Sequence, residues 1–246
     1  MSTIHDATPQ DAEFWFDLFR AVCDRGGGAL EWDLPEPWVH AELYAELKER
    51  ADQTRWTPVW TEVPYVTAYP VQLPKKSNRD WKAAGAVKWV DLCLHTAECD
   101  QWCWFEFKVR HVGRHDQPQE AAKQARDAFR KDVVALMGFD AATTADTWRH
   151  PDKYTKAYWF EKQLEPSGLP TARHHFVAAF LQLGGTLDKV WDEAPLREAI
   201  GDWFSVRRGE AGRKGDAPEF QYSAWRLRGA QPLVVCKWSL PPQASS

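Results

Sequence analysis

Apolar residues near the start of the chain fall at helical spacing. Phe14, Leu18 and Val22 recur every four positions after Thr8-Pro9-Gln10-Asp11, which offers an N-cap, a proline for the first turn and an acidic third position. Gly26-Gly27-Gly28 predicts the end of that helix. After the joint Leu34-Pro35-Glu36-Pro37, a second helix is predicted from about Trp38 to Asp52, with Leu43, Tyr44, Leu47 and Ala51 on one face. The period then shortens. Val59 to Tyr69 reads as a strand pair or one long strand bent at Pro64. Val87–His95 and Trp102–Arg110 read as a hairpin across a polar turn. Asp116-Gln117-Pro118 opens a helix ending near Gly138, with Ala122, Ala125, Phe129, Val133 and Leu136 as its apolar stripe. Beyond Ala141 the pattern weakens. His174–Leu183 reads as a strand, Leu187–Phe204 as broadly helical, and Tyr222–Leu227 with Leu233–Leu240 as a closing hairpin.

No repeat or low-complexity linker divides the chain, so a single domain is expected over residues 1–246. Within it, 1–36 reads as an acidic helical extension, 37–185 as the core, and 186–246 as a C-terminal helix and closing hairpin. Hydrophobic residues at 44% suit a folded soluble chain. The longest apolar run, Phe176–Leu181, is far too short to span a bilayer, and no membrane association is expected. The N-terminus lacks the basic start and apolar stretch of a secretion signal, so an intracellular, cytoplasmic setting is expected. Five irregularly spaced cysteines argue against a disulfide framework. The net charge of -4 excludes a histone-like global field. It is unevenly distributed: residues 1–63 hold five Lys/Arg against thirteen Asp/Glu, which leaves the remainder net basic. Most of the fifteen tryptophans are expected in the core and its rim.

The chemistry concentrates in the predicted hairpin. Alternate residues of a strand share a face, so Glu106 and Lys108 point one way while Phe105, Phe107 and Val109 point into a core. Asp91 lies in the adjacent strand, where pairing can bring its carboxylate to Glu106. Three charged groups within two apolar strands are costly to desolvate. A hard divalent cation relieves the repulsion between two carboxylates by taking oxygen ligands from both. A lysine beside them can orient or help deprotonate water and offset charge developing on a phosphate. A simple salt bridge on an exposed sheet face is the plainer alternative.

Asp91 followed by Glu106-Phe107-Lys108 resembles the motif of the PD-(D/E)xK nuclease superfamily. The resemblance covers roughly residues 38–138, with the strand near 174–183. It implies an α/β restriction-endonuclease-like core of helix, three strands, helix and strand, a mixed sheet flanked by helices, here with an N-terminal helical extension. It further implies a Mg²⁺ (or Mn²⁺) ion held by Asp91, Glu106 and the backbone carbonyl of Phe107, with Lys108 positioning or activating water. The residue before Asp91 is Val90, where the family often has proline. The acid many members carry on the first helix has no clear match: Glu42 and Glu46 are candidates that both lie off the apolar face, Glu46 nearer its flank, and the strand-borne Glu62 is a third. Position 128 is alanine, so the glutamine-tyrosine motif of RecB-like members is not visible.

The implied activity is hydrolysis of phosphodiester bonds in nucleic acid, DNA in preference to RNA. Arg110, Arg114, Lys123 and Arg126 could track a phosphate backbone, with Lys75, Lys76, Arg79 and Lys82 as a second basic loop. The rival expectation is an inactive nuclease-fold module binding nucleic acid or a protein partner, with a homodimer also open. Asp132, close to the apolar stripe of its helix, reads as a buried structural aspartate, and His174-His175 as structural. His95, Cys99, Cys103 and His111 lack the tight spacing of a zinc site.

Overall fold

A computed structural model describes residues 8–26, 35–51, 55–59, 63–67, 86–111, 118–149, 166–183, 221–227 and 232–240. The predicted loop at 75–80 and the helical segment from 187 to 204 lie outside them. The architecture is α/β, with helices on both faces of a mixed sheet. Helix α1 spans Ala12–Gly26 and α2 spans Pro35–Arg50. Six strands form the main sheet in the order β1 (Trp56–Val59), β4 (Leu92–Thr96), β5 (Gln101–His111), β6 (Arg173–Leu183), β8 (Pro232–Leu240) and β7 (Gln221–Arg226). β5 and β6 run parallel, and every other pair in this sheet is antiparallel. β2 (Val63–Thr67) and β3 (Ala86–Val90) form a separate antiparallel pair. Helices α3 (Pro118–Met137) and α4 (Ala141–Arg149) follow β5, and a short 3-10 turn at Pro166–Thr171 leads into β6.

The alternation of β5 builds two cores. Cys103, Phe105, Phe107 and Val109 face α1 and α2, where Trp15 stacks on Phe105 with ring centroids 3.7 Å apart. Trp102 and Trp104 face α3, α4 and the β2–β3 pair. α1 is therefore packed into the main core, through the fully buried Trp15, Leu18, Phe19 and Val22. Its start differs from the expectation. Thr8–Asp11 forms a turn in which the Asp11 carboxylate accepts the N–H and hydroxyl of Thr8, at 2.9 and 3.0 Å, and the helix begins after it.

The predicted strand Val87–His95 is divided between the two sheets, and the region Val59–Tyr69, expected as a strand pair or one long strand bent at Pro64, also contributes to both. β1 ends at Val59 and β2 covers Val63–Thr67 with Pro64 inside it, while Val87–His95 becomes β3 and β4, with a bend at Asp91. α4, which the sequence pattern left unassigned, explains the division. It supplies the outer edge of β2 with partners: Thr144 Oγ1 accepts the N–H of Val66 at 2.9 Å, and Trp148 Nε1 donates to the Pro64 carbonyl at 2.8 Å. Among the described residues no helix is long and apolar enough to cross a membrane.

Candidate functional site

Asp91 stands where the chain leaves one sheet for the other. Val90 pairs with Val63 in the small sheet, while Leu92 pairs with Phe105 in the large one. Alternate N–H groups of a strand point to the same neighbour, so the Phe107 N–H faces the side of β5 from which β3 has departed. The Asp91 Oδ2 takes that hydrogen bond at 2.7 Å. The bend thus puts a carboxylate where a strand would otherwise supply a carbonyl. It also brings Asp91 beside Glu106 and Lys108, the next residues along β5.

The departing strand leaves a gap that the first turns of α2 enter. His40 Nε2 donates to the Asp91 carbonyl at 2.8 Å, and its ring meets Phe107 edge-on. Glu36, one turn earlier, lies 3.6 Å from Lys108 Nζ and accepts from Arg110 at 2.7 Å. On the other side, Asp132 of α3 lies 3.5 Å from Lys108 Nζ and 3.9 Å from Lys88 Nζ of β3. Glu106 Oε1 accepts from Lys108 at 3.2 Å. Lys108 is consequently ringed by Glu36, Glu106 and Asp132.

Glu106 is only 5% exposed, and its Oε2 is buried without a hydrogen-bond partner. Burial drives its carboxyl group well above the usual range, and the charges of Asp91 and Asp132 push the same way, against the partial offset of Lys108. Asp91 is pushed up to about 6 by burial, held back by Lys108, the Phe107 N–H and His40. Burial alone would lower Lys108, but Glu106, Asp132, Asp91 and Glu36 outweigh it and keep the ammonium charged. Tyr65 of β2 is fully buried beside the same carboxylates. Desolvation and the charges of Glu106, Asp132 and Asp91 hold its phenol neutral.

The orphaned Glu106 Oε2 and the opposed carboxylates are the features a divalent cation would relieve. Asp91, Glu106 and the Phe107 carbonyl are the donors that would hold Mg²⁺, a cation commonly bound through only one or two carboxylates, waters and substrate phosphate. Among the described residues no group of three or more His, Cys, Asp or Glu side chains is arranged to hold a metal ion.

Other expected residues fall elsewhere. Glu46 is locked between Arg25 and Arg50, accepting from the latter at 2.7 Å, and Arg25 also pairs with Glu42 at 3.5 Å. It lies about 9 Å along α2 from His40, at the usual helical rise, and is not brought to the site. Its carboxylate is engaged by these two arginines, where the sequence offered it as a possible additional acid. Glu62 and Arg114 lie outside the described residues. Arg110 is exposed and tied to Glu36. Lys123 is exposed and Arg126 half-buried on α3. At about 100° per residue, Lys123, Arg126 and Arg130 lie some 120–180° around the helix from Asp132. α3 therefore turns its carboxylate toward Lys108 and its basic flank away.

Sequence reasoning missed Glu36, Asp132 and His40 as members of this group. Pro35 and Pro37 made Glu36 read as part of a joint, yet proline is well tolerated in a first helical turn, and α2 begins at Pro35. Asp132 could have been found from its position on the flank of α3's apolar stripe. His174 is structural: Trp104 Nε1 donates to its Nδ1 at 3.1 Å and its Nε2 donates to the Leu169 carbonyl at 2.9 Å. Comparison with family models, curated proteins and solved structures finds no match to this chain.

Proposed function

We propose that the chain is a divalent-cation-dependent nuclease with a restriction-endonuclease-like core, hydrolysing phosphodiester bonds of nucleic acid, with DNA as the preferred substrate. The observation that carries this reading is the buried, unpartnered Oε2 of Glu106 beside Asp91 and Lys108. The order α2, β1, β2, β3, β4, β5, α3 and then β6, with β5 parallel to β6, also supports it.

Mg²⁺ bound by Asp91, Glu106 and the Phe107 carbonyl would polarise a phosphate oxygen and acidify a water. The chain's own part is positional. Asp91 is fixed by the Phe107 N–H and by His40 beneath its carbonyl. Lys108 presents its ammonium from the same face as Glu106, where it can orient water and offset charge developing on the phosphate.

The test is cleavage of labelled duplex, branched and single-stranded DNA and of RNA, with Mg²⁺, with Mn²⁺ and with EDTA. Parent cleavage that is abolished by EDTA, by Asp91→Asn and by Lys108→Met supports the reading. Cleavage that survives these changes refutes it.

One observation favours a second reading, an inactive module that binds nucleic acid or protein. Lys108 is ion-paired on three sides, and Arg110 is held by Glu36. That module would bind the same substrates without Mg²⁺ dependence and without cleavage.

A further inference from the structure

The opposite face of the sheet carries a second polar cluster, at the far end from α2's first turn. Residues Gln101, Arg173, His175, Lys237 and Ser239 share the face that carries Cys103, Val177 and Val235, because the register pairs Gln101 with Arg173, His175 with Ser239 and Val177 with Lys237. Arg55 joins them at the head of β1, where the neighbouring Trp56 ring meets His175 edge-on at 6.3 Å. The turn before α1 closes over the cluster: Gln10 donates to Gln101 at 2.7 Å, and the Gln10 carbonyl accepts from Lys237 Nζ at 3.0 Å.

Two features are unexplained by packing. His175 is 7% exposed, and its Nε2 is buried without a partner, while its Nδ1 meets Ser239 Oγ at 2.9 Å. With the Ser239 hydroxyl donating to Nδ1, Nε2 carries the proton and is an unused donor. The charges bearing on His175 are those of Arg173, Arg55 and Lys237, all positive, and with burial they lower its affinity for a proton. None of these three cations is in an ion pair with a carboxylate among the described residues.

We propose that Arg55, Arg173, Lys237 and the Nε2–H of His175 form a binding site for a phosphate oxyanion, separate from the carboxylate centre. A multiply charged tetrahedral anion matches the cluster. Phosphate oxygens accept from guanidinium, ammonium and imidazole N–H groups alike, and the ion's charge would offset three cations. A carboxylate ligand has fewer acceptor oxygens and a single charge. Glu106 pairs with Ala178, three residues along β6 from His175 and on the other face, so the two sites act on different parts of a ligand or on different ligands. The phosphate belongs either to a nucleic-acid backbone or to a free phosphate or phosphomonoester.

The experiment titrates inorganic phosphate into the full chain in EDTA, by calorimetry and thermal shift, against chloride at matched ionic strength. The expected result is saturable phosphate binding that raises Tm, with no comparable effect of chloride. The double variant Arg173→Gln/Lys237→Gln is expected to bind at least about tenfold more weakly, the effect of losing charge-assisted hydrogen bonds. Asp91→Asn should bind phosphate as the parent does, which separates this site from the proposed nuclease centre. Competition by a thymidine oligomer lacking terminal phosphates assigns the site to a nucleic-acid backbone, and lack of competition assigns it to free phosphate or a phosphomonoester. Phosphate that acts no differently from chloride, or that binds the double variant equally well, overturns the proposal.

Discussion

The carboxylate of Asp91 accepts the backbone N–H of Phe107 at 2.7 Å, joining the fork between the two sheets to the strand that carries Glu106 and Lys108. The contact has two opposed effects on stability. It satisfies an N–H that lost its strand partner, and it holds a negative charge in a dry region beside Glu106. Asp91→Asn keeps an acceptor oxygen and removes the charge. In EDTA at neutral pH it should leave stability unchanged or raise it by roughly 1 kcal/mol. Asp91→Ala strands the N–H and should cost about 1–3 kcal/mol. Urea denaturation of the three proteins checks the order, and an Asn variant as damaged as the Ala variant would contradict it.

Acid should destabilise the fold through buried histidines. His174 and His175 are both lowered from 6.5 to about 4, His174 mainly by burial, and His175 by burial and then by Arg173, Arg55 and Lys237. Below pH 6.5 the unfolded chain takes up protons that the folded chain refuses, so stability falls as pH drops toward 4, by at most about 3 kcal/mol for each histidine. Asp91 acts in the opposite sense. Its folded value of about 6 lies above the ordinary 3.8, so its contribution is favourable at low pH and is lost as pH rises through 6. Denaturation in phosphate-free buffer between pH 4 and 7 should show Asp91→Asn losing stability on acidification more steeply than the parent.

The hydrophobic period carried the helices and the strands of the main sheet. It placed α1, α3, β5, β6 and the closing hairpin within a few residues, because each buries one regular stripe. It could not divide Val87–His95 at Asp91. Strand periodicity runs unbroken through Lys88-Trp89-Val90-Asp91-Leu92, and only the second pairing partner, β2 held by α4, reveals the bend. The hairpin pattern brought Asp91 close to Glu106 and Lys108, since Asp91 immediately precedes β4, the neighbour of the strand that carries the other two. Glu36 and Asp132 come from helices far away in sequence, where only packing decides which flank meets Lys108.

α1 is expected to be indispensable. Trp15 stacks on Phe105, and Phe19 meets both Phe105 and Phe107. Trp15→Ala should cost about 3–5 kcal/mol, the usual loss for a fully buried large aromatic. Removal of residues 1–26 should abolish cooperative unfolding. A truncated chain that melts like the parent would show that the acidic N-terminal segment is a separable extension.

Glu36 restrains two cations at the mouth of the site, Lys108 at 3.6 Å and Arg110 at 2.7 Å. Glu36→Gln should change stability by less than about 1 kcal/mol, because Arg110 is half-exposed and screened by solvent. It should strengthen oligonucleotide binding and increase the dependence of log Kd on log salt by about one unit, as one more phosphate contact becomes available. Fluorescence anisotropy across a salt series measures both, and an unchanged slope would show that Arg110 does not reach the ligand.

The central claim is that Asp91 and Glu106 form a divalent-cation site, and calorimetric titration of Mn²⁺ into the parent and into Glu106→Gln at neutral pH tests it most directly. One saturable site is expected in the parent, lost in Glu106→Gln, with the parent alone gaining thermal stability from the ion by mass action. An absence of saturable Mn²⁺ binding in the parent, or equal binding in Glu106→Gln, would contradict it.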